Sequence, residues 1–295
     1  MPMRIVVAVA TRGRGALLAA LLNRLKLQSR PADLVCLSAV EESDVTDARK
    51  ATGLPLRVLF GPPGLTAQRN TAVRAVLAEA DAIVFFDDDF LPARRWLERA
   101  EEIFLRYPHV LGINGDTLAD GASSAGLEFE AAARLLDDYD SSDGERAAEF
   151  VPTPSLYGCN MAYRAAVFGR LSFDERLPLY GWLEDLDFSR QVRKLGPLLW
   201  SNTLCGVHLG LKSGKTSGTR FGISQIINPI HLWRKGTIAA TEAAGLLLMP
   251  LAKNLLKAIS PEPYIDRRGR LRGNLLALAY VLSGRIDPMI VTKLK

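Results

Sequence analysis

Cysteine is scarce in this chain: Cys36, Cys159 and Cys205 are the only three in 295 residues. They are odd in number and widely scattered, so no zinc-binding spacing exists, a disulfide framework is disfavoured, and a reducing compartment is expected. Long apolar runs are also missing. None reaches the ~18 uninterrupted residues that a membrane-spanning helix needs. The apolar stretch Ile5–Ala10 is short and is followed by Arg12 and Arg14. It reads as a first core strand, not a signal peptide. Basic strands with interleaved aromatics are absent too, so nucleic acid is not expected as a partner. No internal repeat of fixed period is evident.

What the chain does have is apolar content enough for a large core, at 48% hydrophobic residues. Its charge is unevenly spread. Residues 201–295 hold 14 Lys/Arg against 4 Asp/Glu, whereas the first 200 residues carry a net −5. A basic tail on an acidic body suggests an anionic membrane surface or a phosphate-bearing substrate.

The stretch that organises the rest is residues 81–90. Ile83, Val84, Phe85 and Phe86 suit a strand buried on both faces. Asp87, Asp88 and Asp89 follow at once, at the carboxyl edge where open α/β sheets bind ligands. Adjacent carboxylates repel, so a hard divalent metal is a natural counter-ion, although a solvated acidic turn reads from the same residues.

The patterning around this stretch gives β-α-β-β-α-β: strands at 5–10, 34–37, 56–60 and 83–86, with one helix carrying Leu17, Leu18, Leu21, Leu22 and Leu25 and a second at about 66–80. This argues a mostly parallel sheet covered on both faces. Further on, a helix is expected over 92–106, opened by Pro92 at its first position. Strands are expected at 110–114 and 198–203, with a mobile insertion over 116–150 that has one helix near 126–136 and an acidic tip at 137–144. Thr11 and Arg12 lie at a strand end beside a helix N-terminus, which favours anions. In the tail, Pro250 is read as the start of a short amphipathic helix, with Leu251, Leu255, Leu256 and Ile259 on one face and Lys253 and Lys257 on the other. The cluster Arg267-Arg268-Gly269-Arg270-Leu271-Arg272 follows. An interfacial helix and a helix packed on the main domain both remain open here.

Four pieces then carry a resemblance over residues 4–210. They are Arg69-Asn70 opening a helix, Asp87-Asp88-Asp89, Tyr157-Gly158-Cys159-Asn160-Met161-Ala162-Tyr163-Arg164, and Gly181-Trp182-Leu183-Glu184-Asp185-Leu186-Asp187-Phe188 with Arg190 and Gly196. Together they resemble family 2 glycosyltransferases. The resemblance implies a GT-A-like three-layer α/β/α sandwich over 1–225 and a helical, basic, amphipathic extension over 226–295. It implies an inverting, metal-dependent hexosyltransferase using Mn²⁺ or Mg²⁺ and a nucleoside diphosphate sugar, with UDP the commonest. The acceptor implied is a glycan, lipid-linked, as in exopolysaccharide synthesis. Asp89 is the expected metal ligand and Asp87 the contact to ribose or metal-bound water, with Asp88 between them ambiguous. Thr11, Arg12, Glu41 (or Asp44) and Arg69 are nucleotide contacts, and Asp185 is the general base. Glu184 and Trp182 meet the acceptor, although Trp182 also reads as core. His208 is a third metal ligand or a structural histidine. The basic loop Leu211–Arg220 either closes over the diphosphate or is a solvated linker. A cytoplasmic protein, peripheral at the inner membrane face through residues 230–272, is the expected setting. A sugar-1-phosphate nucleotidyltransferase, a non-catalytic sugar-nucleotide binder and, more distantly, a glycosidase are the rival readings.

Overall fold

In a computed structural model, residues 3–50, 53–142, 147–211 and 217–294 are described. Nine strands form one sheet in the order β3-β2-β1-β4-β8-β6-β9-β5, with β7 also on β9. The first half is parallel: β1 (Ile5–Ala10) lies between β2 (Leu34–Ala39) and β4 (Ala82–Asp87), and β3 (Leu56–Phe60) flanks β2. Beyond β4 the sheet is mixed. β8 (Asn160–Arg164) runs antiparallel to β4 and β6 (Gly112–Asp120), and β6 is parallel to β9 (Leu198–His208). β5 (Phe90–Pro92) and β7 (Phe150–Pro152) are antiparallel to β9. The mostly parallel sheet expected from the sequence is therefore parallel only where helices separate its strands.

Alternation along the central strands explains the layers. Ile5, Val7, Val9, Val84 and Phe86 face α1 (Gly15–Lys26) and α3 (Trp96–Arg106). Val6, Ala8, Ile83 and Phe85 face α2 (Leu65–Val76) and α5 (Glu184–Arg193). Both faces of β1 and β4 are thus dry, and each buried Phe or Val side chain contributes roughly 1.5–3 kcal/mol.

Several expected boundaries move. Pro92 closes strand β5 instead of opening a helix, and α3 begins at Trp96. β5 sits at the sheet edge, where a residue without an N–H is tolerated. The expected mobile insertion is built into the sheet: β6 runs on to Asp120, and α4 (Phe129–Ser142) packs Ala132, Leu136 and Tyr139 against Cys205 and Val207 of β9. The acidic tip is helical as far as Ser142, with Asp140 paired to Arg24 at 2.8 Å; residues 143–146 lie outside the described residues.

The C-terminal extension differs most. A boundary at 225/226 falls inside α6 (Gly218–Lys235), and α7 (Ala240–Lys257) runs straight through Pro250. α8 (Arg267–Leu282) packs on α6. Polar bonds tie α6 to the main sheet's helices. Lys235 donates to Asp187 at 2.6 Å and Asp174 at 2.8 Å, Thr237 donates to Asp187 at 2.8 Å, and His231 meets Asp174 at 2.9 Å.

Asp187 is fully buried within this junction, so Asp187→Ala strands Thr237 and one face of Lys235. Losing one partner of a buried pair predicts about 3 kcal/mol of destabilisation in a denaturant titration. A change below about 0.5 kcal/mol, the range of ordinary surface substitutions, contradicts a junction role.

Candidate active site

Strand register assembles the site. β4 ends at Asp87, and the chain turns through Asp88 and Asp89 into β5. Phe90 of β5 pairs with His208 at the end of β9, and Asp120 at the end of β6 pairs with the same His208. Two ladders therefore deliver His208 between Asp89 and Asp120. Gly206 of β9 makes the approach feasible, because a Cβ there sits 2.1 Å from the Phe90 ring. β9 was legible only to Thr203; its last five residues carry the imidazole to the site.

Donor atoms of Asp87, Asp89 and His208 all lie within 4.8 Å of one another. Nε2 of His208 is 3.4 Å from Asp89, and Nδ1 is 2.9 Å from Oδ1 of Asp120. Tyr157 donates its hydroxyl to Oδ2 of Asp120 at 2.9 Å. A carboxylate behind an imidazole fixes the ring and frees the other nitrogen for a metal. Burial opposes a charged His208, but the hydrogen bonds to Asp120 and Asp89 raise its pKa to about 10 in the metal-free protein. Burial likewise works against the Asp120 carboxylate, yet His208 and the Ala122 N–H bring it down to about 2. Two carboxylates and one oriented imidazole suit Mn²⁺ or a similar divalent ion, so the donor set fits a metal.

Asp88 is differently placed. It is buried, accepts from Thr11 Oγ1 at 2.8 Å and from Arg14 Nη1 at 2.6 Å, and burial pushes its pKa up to about 7 against the pull of Arg14. Arg14 also reaches Asp89 at 3.0 Å and the carbonyl of Leu211 at 2.7 Å. Its importance was not legible, because a glycine-flanked arginine has no pattern of its own.

Arg69 forms the second cationic hub. Buried between the rings of Phe85 and Phe173, it pairs with Glu184, with Asp87 at 3.0 Å, and with the Gly158 carbonyl at 2.8 Å. Expected at the nucleotide, it instead holds two acids. Glu184, expected at the acceptor, is buried, and burial raises its pKa to about 8 despite Arg69. Its Oε2 has no hydrogen-bond partner among the described residues.

Asp185 sits beside Glu184 in the first turn of α5, half-buried, accepting from the N–H groups of Gly158 at 3.0 Å and Leu186 at 2.8 Å. The preceding loop is strained, with Leu179 and Leu183 at φ 59° and 73°. Such positions persist only where the surroundings enforce them. Here Asn228 of α6 holds the Trp182 carbonyl at 2.8 Å. Trp182 itself is half-buried, 5.9 Å from the Phe221 ring, and lines a groove instead of the core.

A cavity of about 470 Å³ adjoins the acids, walled by Thr11, Arg12, Arg14, Asp87, Asp88, Tyr180 and Arg220 among others. Glu41 does not line it; it is exposed and caps a short turn. Asp44, its neighbour, is buried and ties that turn to the loop after β1 through the Gly13 N–H at 2.6 Å. Lys212–Thr216 of the basic loop lie outside the described residues.

No family model and no curated protein matches the chain. Solved structures do. A mannosyltransferase from Pyrobaculum calidifontis, PcManGT, in complex with GDP-Man and Mn²⁺, aligns over 99% of this chain and 86% of its own, with TM-score 0.55 and 17% identity. Residues 1–349 of S. aureus TarS align over 96% of this chain and 82% of that fragment, with TM-score 0.53 and 16% identity. A mycobacterial protein aligns over 79% and 75%, with TM-score 0.53 and 16% identity. At such identities the likeness is one of fold: this chain has a glycosyltransferase-like α/β fold.

Two outcomes follow for His208. Asp120→Asn leaves the ring in place but loosens its anchor, and predicts a 10–100-fold loss of Mn²⁺ affinity by calorimetry; unchanged affinity contradicts the relay. In metal-free protein, a pKa raised from 6.5 to about 10 contributes stability that is complete below about pH 6.5 and is lost as pH climbs toward 10. His208→Gln removes that slope, and a slope that survives the substitution assigns it elsewhere.

Proposed function

We propose that the chain is an inverting, metal-dependent glycosyltransferase of the GT-A type. In this reading it moves a sugar from a nucleoside diphosphate sugar to a hydroxyl of a lipid-linked glycan. The observation that carries it is the convergence of Asp87, Asp89 and His208 beside the cavity walled by Thr11, Arg12 and Arg220, with a second carboxylate, Asp185, at the head of α5. The shared fold adds support, since PcManGT was solved with GDP-Man and Mn²⁺.

Asp87, Asp89 and His208 would hold the metal, which supplies Lewis-acid stabilisation of the departing diphosphate. Thr11 positions Asp88, and Arg12 lines the cavity with no ion-pair partner among the described residues, so it is available to phosphate oxygens. Arg69 fixes Asp87 and Glu184 together, which sets the distance between β4 and α5. Asp185 takes the acceptor hydroxyl's proton as the new bond forms, because an unassisted sugar hydroxyl is a poor nucleophile near neutral pH. Its two N–H donors keep the carboxylate aimed. Donor preference is read from a thermal-shift panel of nucleoside diphosphate sugars with Mn²⁺, Mg²⁺ or chelator.

The same reading places the protein peripherally on an anionic membrane, at the inner face. No helix among the described residues is long and apolar enough to cross a membrane. α7 and α8 instead expose Met249, Leu255, Leu256, Leu275 and Leu282, with Ile259 just beyond α7, beside the cations Lys253, Lys257, Arg268 and Arg272. Arg267 does not belong to this surface; it is buried and bound to Glu262 at 2.9 Å and Asn254 at 3.0 Å.

Two predictions test this reading. Asp185→Asn lowers kcat by about 10²–10⁴-fold with donor Kd unchanged; near-normal turnover removes Asp185 as the base. Reversing Lys253, Lys257, Arg268 and Arg272 releases the protein from anionic liposomes in co-sedimentation, since each cation there is worth about 1 kcal/mol. An unmodified protein that ignores such liposomes contradicts the membrane assignment.

A further inference from the structure

Beside the donor cavity lies a second one, a groove of about 710 Å³ between the strained loop before α5 and helices α6, α7 and α8. That volume is within the usual range of small-molecule sites, about 300–1,000 Å³. Ser217 lines both cavities. The wall between them is aromatic: Tyr180 and Trp182 both pack edge-on against Phe221, at 5.7 and 5.9 Å.

The groove changes character along its length. Trp182, three residues before Asp185, offers an apolar plate at the inner end. Arg270 follows, with its guanidinium 4.5 Å over the Phe221 ring. It has neither a salt bridge nor a hydrogen bond from its side chain among the described residues, whereas its neighbour Arg267 is fully paired. Lys253 adds a second cation without an ion-pair partner among the described residues, and Met249, at 76% exposure, also lines the groove. Beyond Met249 continues the exposed apolar surface of α7. The lining thus combines an aromatic plate, the unpaired cations Arg270 and Lys253 beside the paired Arg267 and Asp266, and an exposed apolar residue, Met249, and a phosphate ester of an apolar chain suits that combination.

We propose that this groove binds the acceptor's linker, a phosphate or diphosphate ester of an apolar chain. Arg270 and Lys253 hold the phosphate, Trp182 stacks the attached sugar, and the chain leaves over Met249. Trp182 stands in the loop that leads into Asp185 at the head of α5, and the apolar chain runs to the face assigned to the membrane. The assignment rests on the transferase reading above, and it specifies where the lipid enters relative to the donor. A stacked arginine keeps its fork free for phosphate oxygens, because ring contact leaves its N–H edges exposed.

Farnesyl diphosphate, farnesol and inorganic pyrophosphate serve as probes on the full chain, titrated separately below micelle-forming concentrations and with chelator present to keep the diphosphate off any metal. Farnesyl diphosphate saturates one site, and the two fragments bind at least about tenfold more weakly, since each meets only part of the groove. Arg270→Gln and Lys253→Gln each weaken farnesyl diphosphate about tenfold, and Arg270→Lys retains most of the affinity. Binding of UDP or GDP with Mn²⁺ stays unchanged in these variants, and with Mn²⁺ in place of chelator neither nucleotide displaces the probe. Full affinity in both glutamine variants overturns the proposal, as does competition by nucleotide, which would put the probe in the donor cavity. Equal binding of farnesol or of pyrophosphate overturns it too. If Arg270→Gln fails to fold, the exposed Lys253→Gln decides. Loss of Mn²⁺-dependent nucleotide binding in the unmodified protein defeats the transferase reading alone, because the groove is read without nucleotide or metal.

Discussion

Three carboxylates in a row at the end of a strand with two dry faces are an electrostatic problem that the rest of the structure answers. Asp88 and Asp89 are almost wholly buried, and Asp87 is only partly exposed. Unpaired ionised groups in such a setting cost several kcal/mol each. The fold supplies three cationic partners from distant parts of the chain: Arg14 from the turn after β1, Arg69 from α2 and His208 from the end of β9. Each partner brings a functional element with it. Arg69 draws in Glu184 and so anchors the head of α5, where Asp185 lies. His208 draws in Asp120 and Tyr157. Arg14 binds the Leu211 carbonyl at the start of the basic loop.

Much of this was legible from local pattern. The apolar run before Asp87 identified β4, and the β-α-β alternation over the first 90 residues identified the parallel half of the sheet. The pairing partners were not legible. Arg69 read as a nucleotide contact only through the family resemblance. Its commitment to Asp87 and Glu184 depends on 18- and 115-residue separations that no local pattern encodes. Asp120 was hidden in a segment rich in Ala, Ser, Gly and Asp, whose composition reads as loop. It is a strand end because β6 pairs with β9 across register shifts. Pro92 and Pro250 misled for the same reason: each has a local preference that tertiary contacts override.

The C-terminal helices are part of the site's framework, not an appendage. Buried Asp187 and half-buried Asp174 receive Lys235, Thr237 and His231, and Asn228 clamps the carbonyl of Trp182 inside the strained loop. That loop sets where Trp182 and Asp185 stand. Perturbing α6 therefore reaches Trp182 and Asp185 without touching the acids on β4. The outward faces of α7 and α8 carry exposed apolar and cationic side chains instead.

Asp87, Asp89 and His208 would together hold a divalent ion. Pulsed electron paramagnetic resonance of bound Mn²⁺ tests it directly, using protein labelled with ¹⁵N-histidine. The expected result is a hyperfine coupling from one imidazole nitrogen, abolished by His208→Gln, and loss of tight Mn²⁺ binding in Asp89→Ala. Stoichiometric Mn²⁺ with no histidine nitrogen in its coordination sphere, or with affinity untouched by Asp89→Ala, contradicts it.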